Sequence, residues 1–270
     1  MGTLEAKFRH ALASFKEAPP IRALREARYE RAFARATGLN LFRGVYGSFE
    51  EARASAPATK PLGYDHDAPA AMYDERLARP FPGDYPALFW LAPIVPKAKR
   101  VFDFGGHVGI ARYGFARHLD FPKDLVWTVL DVPAVIERGR ALARERAEVG
   151  LEFTTDASTA DGADVFFAAG SLQYVREPLA EMLSRLERRP PHVVVNKTPL
   201  YDGPSYFTLQ NIGVAFCPYA IFNRDAFVEP VRALGYELVD TWENVEQSCT
   251  IPLRPDRSVP RYTGLYFRRR

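Results

Sequence analysis

The sequence predicts an α/β fold: a doubly wound, mostly parallel sheet of seven strands with one antiparallel edge strand, preceded by an N-terminal helical cap. Three observations carry this. After residue 98, short apolar runs alternate with segments of helical spacing, the rhythm of parallel strands joined by crossover helices. Residues 126–131 (Val-Trp-Thr-Val-Leu-Asp) are almost continuously apolar, as befits a strand buried on both faces. A turn rich in glycine, with Gly105, Gly106 and Gly109, joins the first run to its helix. Glycine lacks a Cβ, so it lets a ligand approach the backbone closely.

The cap is assigned to residues 1–98. Residues 4–36 read as two helices broken at Pro19 and Pro20, with Tyr29, Phe33 and Ala36 at helical spacing and Gly38 as the stop. Ser48 is a helix cap for residues 49–55. A polar cluster of Tyr64, Asp65, His66 and Asp67 follows, with Tyr73 as aromatic company, then a turn-rich stretch over 80–86 and a helix over 85–92. The sheet domain spans 99–270. Its strands are predicted at 100–104, 126–131, 151–155, 163–169, 192–196, 236–242 and 262–268. Helices are predicted at 110–119, 135–146, 178–188 and 224–234. No helix separates the last two strands, so they pair as a hairpin at one edge.

Composition bounds the partners. At 270 residues the chain can bury a full core, and its 26% charged content is that of an ordinary soluble globular protein. A net charge of +3 is too small to argue for nucleic acid by itself, and the basic end of Arg268, Arg269 and Arg270 reads more often as a solvated terminus than as a binding patch. Cys217 and Cys249 stand far apart and fit neither a disulfide framework nor a zinc site, which points to a reducing cytoplasm. The charged N-terminus shows no signal-peptide pattern, and no apolar run is long enough to span a membrane. No His, Cys and Asp set has metal-ligand spacing, so no metal is predicted.

In an open α/β sheet, ligands bind outside the carboxyl ends of the strands. The first strand end offers Asp103, Gly105, Gly106, His107 and Gly109. A dinucleotide fingerprint would need glycine at 104, where Phe104 stands. An acid two residues before the first glycine suits a cation-bearing ligand such as S-adenosylmethionine better than a pyrophosphate. The second strand ends at Asp131, beside Val132 and 22 positions past Gly109, the spacing of an acid that holds ribose hydroxyls. The third ends at Asp156 and Ala157, where a carboxylate can accept from an adenine amino group. Each aspartate alone is more often a cap or turn residue; three at successive strand ends behind a glycine loop read as a site. The fourth strand ends in Gly170, Ser171, Leu172, Gln173 and Tyr174, and the fifth in Asn196. The run of Tyr206, Gln210 and Asn211 forms either a substrate lid or packing for the crossover.

With those residues placed, the stretch from about 99 to 268 resembles a class I S-adenosylmethionine-dependent methyltransferase. More narrowly, the chain is similar to a bacterial family classed with the methyltransferases and associated with surface-polysaccharide or natural-product gene sets. The likeness rests on residues 103–109, 170–175 (GSLQYV), 196–200 (NKTPL), 208–212 (TLQNI) and 219–224 (YAIFNR), with 44–46 and 63–65 in support. It implies a Rossmann-like domain in which Asp103 and the loop through Gly109 hold the methionine part of S-adenosylmethionine. Asp131 and Val132 would take the ribose, Asp156 and Ala157 the adenine, and Gly170, Ser171 and Leu172 would line the far side. His107 is a departure, standing where many methyltransferases have their second glycine.

The expected activity is methyl transfer to a small-molecule acceptor, a sugar or natural-product intermediate, with O-methylation favoured over N-methylation. The candidate bases are His66, His107 and Tyr174. The candidate acceptor contacts are Tyr64, Tyr73, Gln173, Asn196, Tyr206, Gln210 and Asn211. A homodimer stays open. The competing readings are an RNA methyltransferase or RNA-binding protein, a nicotinamide-dependent oxidoreductase, and a non-catalytic subunit that keeps only the fold.

Overall fold

The computed structural model describes residues 19–37, 40–66 and 77–270. The predicted helix over residues 4–18, the stop at Gly38, and the candidates Asp67 and Tyr73 lie outside the described residues.

The main sheet has seven strands: β2 (Arg100–Phe104), β3 (Val126–Leu130), β4 (Leu151–Thr154), β5 (Val165–Ala169), β6 (His192–Thr198), β10 (Tyr236–Asn244) and β11 (Tyr262–Arg269). Their spatial order is β10-β11-β6-β5-β2-β3-β4. Strands β2 to β6 are parallel, whereas β11 runs antiparallel to both β6 and β10. The predicted hairpin therefore closes one edge, and its inner member is the reversed strand.

The period of two along β2 divides its side chains between the sheet faces. Phe102 and Phe104 pack with Phe166, Val193 and Val195 under α6 (Leu179–Ser184) and α7 (Arg224–Ala233). Val101 packs with Trp127, Val129 and Phe167 under α3 (Tyr85–Leu91), α4 (Ile110–Gly114) and α5 (Pro133–Glu145). Asp103 falls on this second face. Helix α4 is shorter than the predicted 110–119, ending at Gly114, where the missing side chain lowers helix propensity.

The cap holds more than helices. Helix α1 (Pro19–Arg35) begins at the two prolines, which fit a first turn because its N–H groups need no intrahelical partner. Helix α2 (Phe49–Ala54) is capped by Ser48, whose Oγ accepts from Glu51 N at 3.1 Å. Between them β1 (Leu41–Tyr46), which the sequence reading left unassigned, opens a second sheet. That sheet adds β7 (Leu200–Tyr201), β8 (Tyr206–Asn211) and β9 (Phe216–Asn223) in the order β1-β8-β9-β7. The stretch read as lid or crossover packing thus forms regular strands, and the residues before 99 share a sheet with those after 200. Among the described residues, no helix is long and apolar enough to cross a membrane.

Candidate functional site

The glycine loop leaves β2 in a backbone that side chains resist. Gly105 has φ +68°, and its N–H donates to Leu130 O at 2.7 Å, tying the loop to β3. A Cβ on Gly105 would lie 2.3 Å from the Ser171 Cβ, and one on Gly106 would lie 2.4 Å from the Asp103 carboxylate. Both glycines are therefore required by close approach, Gly105 by its conformation as well. His107 takes φ +57°, a left-handed value that histidine adopts more readily than most residues. It thus reproduces the backbone that the resemblance assigns to glycine, and it does so with a buried imidazole.

The acids at the strand ends have different environments. Asp103 is 1% exposed, and its Oδ2 accepts from Trp127 Nε1 at 3.0 Å. Burial pushes its carboxyl up to about 7, and the neighbouring Asp131 adds to the rise. Asp131 accepts from His107 N at 2.9 Å and from Val132 N at 2.8 Å, so one carboxylate stitches the loop to the start of α5. Burial raises this group too, against the pull of those two N–H groups and of His107. Asp156 is exposed and binds locally. It accepts from Ser158 N at 2.9 Å and Ser158 Oγ at 2.7 Å, capping the 3-10 turn Ala157–Ala160; both bonds hold its carboxyl below the ordinary range.

Beside the loop, Ser171 Oγ donates to Phe104 O at 2.5 Å and joins the end of β5 to that of β2. Gly170, at φ +75°, donates its N–H to Asn196 O at 2.8 Å. Leu172 and Gln173 are buried in the 3-10 turn Leu172–Tyr174. The Tyr174 hydroxyl donates to Gln210 Oε1 at 2.7 Å, and its ring meets Tyr64 and Tyr219 edge to face. His66 follows Tyr64 closely, its N–H donating to Tyr64 O at 2.8 Å. Among the described residues, no hydrogen-bond partner reaches its buried Nε2.

Three expected acceptor contacts are engaged by the framework. Asn196 is buried, donates to Gly83 O at 2.9 Å and accepts from Trp242 Nε1 at 3.1 Å. Asn211 donates to Phe33 O at 2.6 Å and Ala36 O at 3.0 Å, and it accepts from Lys60 Nζ and Gly213 N. Tyr206 donates to Arg257 O and packs on Tyr201. The structure thus brings Asp103, Gly105, Gly106, His107, Gly109, Asp131, Val132, Gly170 and Ser171 together around the ends of β2, β3 and β5, with Tyr64, Tyr174 and Gln210 in one contact chain beside them. Asn211 and Tyr206 belong to the second sheet.

Sequence reasoning did not single out Lys197 or Asp84. Lys197 and Asp84 form a buried ion pair at the end of β6, and Lys197 holds φ +59°. Asp84 also accepts from Phe81 N at 3.0 Å. The Asn-Lys-Thr-Pro run marked this strand end, but nothing local pointed to Asp84. Burial pushes the Cys217 thiol up to about 12 and raises that of Cys249 as well, which leaves both unreactive.

The chain matches no protein-family model and no curated protein. Solved structures do resemble it. A protein from Listeria monocytogenes classed as an S-adenosylmethionine-dependent methyltransferase aligns at 12% identity over 70% of this chain and 97% of its own, with a TM-score of 0.51. The 1,6-didemethyltoxoflavin N1-methyltransferase of Burkholderia thailandensis, solved with bound 1,6-didemethyltoxoflavin and S-adenosylhomocysteine, aligns at 21% identity over 76% and 84%, with a TM-score of 0.48. A methyltransferase from Streptomyces caelestis aligns at 15% identity over 75% and 96%, with a TM-score of 0.47. The Listeria match agrees with the strand order in placing the chain in the Rossmann-like α/β fold.

Proposed function

We propose that this chain is an S-adenosylmethionine-dependent methyltransferase acting on a small-molecule acceptor, with a hydroxyl of a sugar or natural-product intermediate as the favoured methyl-accepting group. The observation that carries the reading is the joint built by Asp103, the two bare glycines and Asp131. Each glycine faces a polar side chain that a Cβ would strike, and Asp131 holds the loop by its backbone. A buried carboxylate whose protonation is raised by desolvation gains most from a cationic partner. The donor set therefore suits a ligand carrying an ammonium and a ribose.

In this reading Asp103 and residues 105–109 hold the methionine end, Asp131 and Val132 the ribose, Asp156 and Ala157 the adenine, and Ser171 and Leu172 the opposite wall. The cofactor supplies a methyl group already activated on a sulfonium. The protein's task is then alignment and exclusion of water, and positioning of this kind is worth roughly 7–11 kcal/mol. Tyr64, Gln173 and Tyr174 wall the acceptor side. His66, with its buried Nε2, and His107, beside Asp131, are the candidate bases for the acceptor hydroxyl.

Calorimetric titration with S-adenosylmethionine and S-adenosylhomocysteine tests the reading. The native chain binds both, and Asp131→Ala, which loses the ribose acceptor and the clasp on His107, binds at least tenfold more weakly. A folded native chain that binds neither compound overturns the reading in favour of a non-catalytic subunit.

A further inference from the structure

We propose that residues 61–66 form a strap across the strand-end cleft and that Asp65 is its positioning residue, fastening the strap to the start of α5. The role rests on the cofactor reading above; the strap itself follows from the contacts.

One end of the strap is fixed to the second sheet. Phe216 N donates to Pro61 O, and Gly63 N donates to Phe216 O, both at 2.9 Å. Leu62 pairs with Phe216 as a parallel bridge. Gly63 then turns the chain at φ +86°; no atom of the described residues lies within 4 Å of a Cβ built there, so the backbone conformation calls for glycine. The middle rests on the end of β5, where the ring of Tyr64 meets that of Tyr174 at 5.2 Å and 73°. The His66 N–H bond to Tyr64 O closes a tight three-residue turn that presents Asp65 at its apex. The far end reaches the strand beyond, where Asp65 Oδ1 accepts from Ala134 N at 3.0 Å.

The route follows from the strand order. Tyr174 follows β5, Ala134 follows β3, and β2 lies between those two strands. A segment fastened to both passes over the end of β2, which carries Gly105, Gly106 and His107. The anchor is specific. Pro133 has no N–H, and Val132 N is taken by Asp131, so Ala134 offers the next donor at the opening of α5. Asp65 and Asp131 thus hold the start of one helix together, and the Asp65 charge acts on the Asp131 carboxyl. A ligand seated on Asp131 and the glycine loop leaves only after this bond opens, so Asp65 governs residence rather than the chemistry itself.

The test uses the full chain and two measurements. Hydrogen exchange at the Ala134 amide, without ligand, reads the fastening. The dissociation rate of S-adenosylhomocysteine, by stopped-flow displacement, reads the consequence. Asp65 is exposed, so Asp65→Ala keeps the native unfolding midpoint while exchange at Ala134 and ligand dissociation each accelerate at least tenfold, with association little changed. Asp65→Asn keeps an acceptor oxygen and recovers most of both effects, which a general loosening of the surface would not do. Unchanged exchange at Ala134 in Asp65→Ala overturns the strap. Faster exchange with unchanged dissociation overturns the positioning role. A native chain that binds no S-adenosylhomocysteine overturns that role together with the cofactor reading, while the exchange result still decides the fastening.

Discussion

The two sides of the strand-end face are built by different kinds of contact. At β2 and β3 the loop is held mainly by partners one strand away in sequence, His107 N with Asp131, Trp127 with Asp103 and Gly105 with Leu130, with Ser171 and Asp65 reaching in from outside. At β5 and β6 they come from far away: Asn196 with Gly83, Lys197 with Asp84, Trp242 with Asn196, Tyr174 with Gln210. The first side is a compact joint built largely within one strand–loop–strand segment. The second is a junction where the cap, the main sheet and the second sheet are locked together by buried polar groups. The difference suggests a division of labour, a generic holder beside a made-to-measure wall, and it can be broken at each side separately.

The largest effect belongs to the junction. Lys197→Met strands the Asp84 carboxylate in a buried position, with the Phe81 N–H as its remaining partner among the described residues. Breaking one partner of a buried pair costs about 3–5 kcal/mol. Denaturant unfolding should show a loss of that size, and the double variant Lys197→Met with Asp84→Asn should recover much of it. Equal losses in the single and double variants would mean that the pair is not what joins the cap to β6.

At the joint, the expected signature is a pH dependence. The Asp103 carboxyl sits at about 7 when folded, against an ordinary 3.8, with burial as the main cause. The folded chain therefore holds a proton between those values that the unfolded chain has released. By linkage, this group's contribution is fully present below pH 4 and is lost as the pH rises through about 7. At ~1.4 kcal/mol per pKa unit, the loss is about 4 kcal/mol. Asp103→Asn carries no such term and still accepts from Trp127. Its stability relative to the native chain should climb between pH 4 and 7.5, even as affinity for S-adenosylmethionine falls. A constant difference across that range would show that Asp103 titrates normally.

The same contrast decides what could be read from the sequence. The loop, the three strand-end acids and the seven-stranded sheet were legible because each is a local pattern: glycines at fixed offsets, apolar runs of strand length, an acid 22 positions on. Ser48 was legible for the same reason, since a cap and its N–H partner lie three residues apart. Strand β1 was not. Its pairing of Leu41 with Asn211 and Arg43 with Leu209 bridges most of the chain, and Gly44 interrupts its strand pattern. Asn196 and Asn211 read as ligand contacts because amides at strand ends so often are. Their partners, Gly83 and Phe33, lie 113 and 178 residues away, and nothing local announces them. Distance hid Asp84 in the same way, and it hid Ala134 as the partner of Asp65, 69 residues away.

The smallest effect tests whether the wall is tuned or merely filled. Tyr174 is a candidate base by chemistry, yet its hydroxyl already donates to Gln210 and its ring is held between Tyr64 and Tyr219. Tyr174→Phe keeps the ring contacts and removes one hydrogen bond, leaving the Gln210 carbonyl in a buried position. The expected cost is ~1 kcal/mol in unfolding free energy, the net worth of a typical internal hydrogen bond. Binding of S-adenosylhomocysteine should be unchanged, because the aromatic wall that Tyr64 rests on survives. Tyr64→Ala removes the ring that rests on that wall and should weaken the same binding severalfold. If instead Tyr174→Phe weakens binding as much as Tyr64→Ala, the hydroxyl itself orders the strap. The wall would then be set by a polar contact from the second sheet rather than by ring packing.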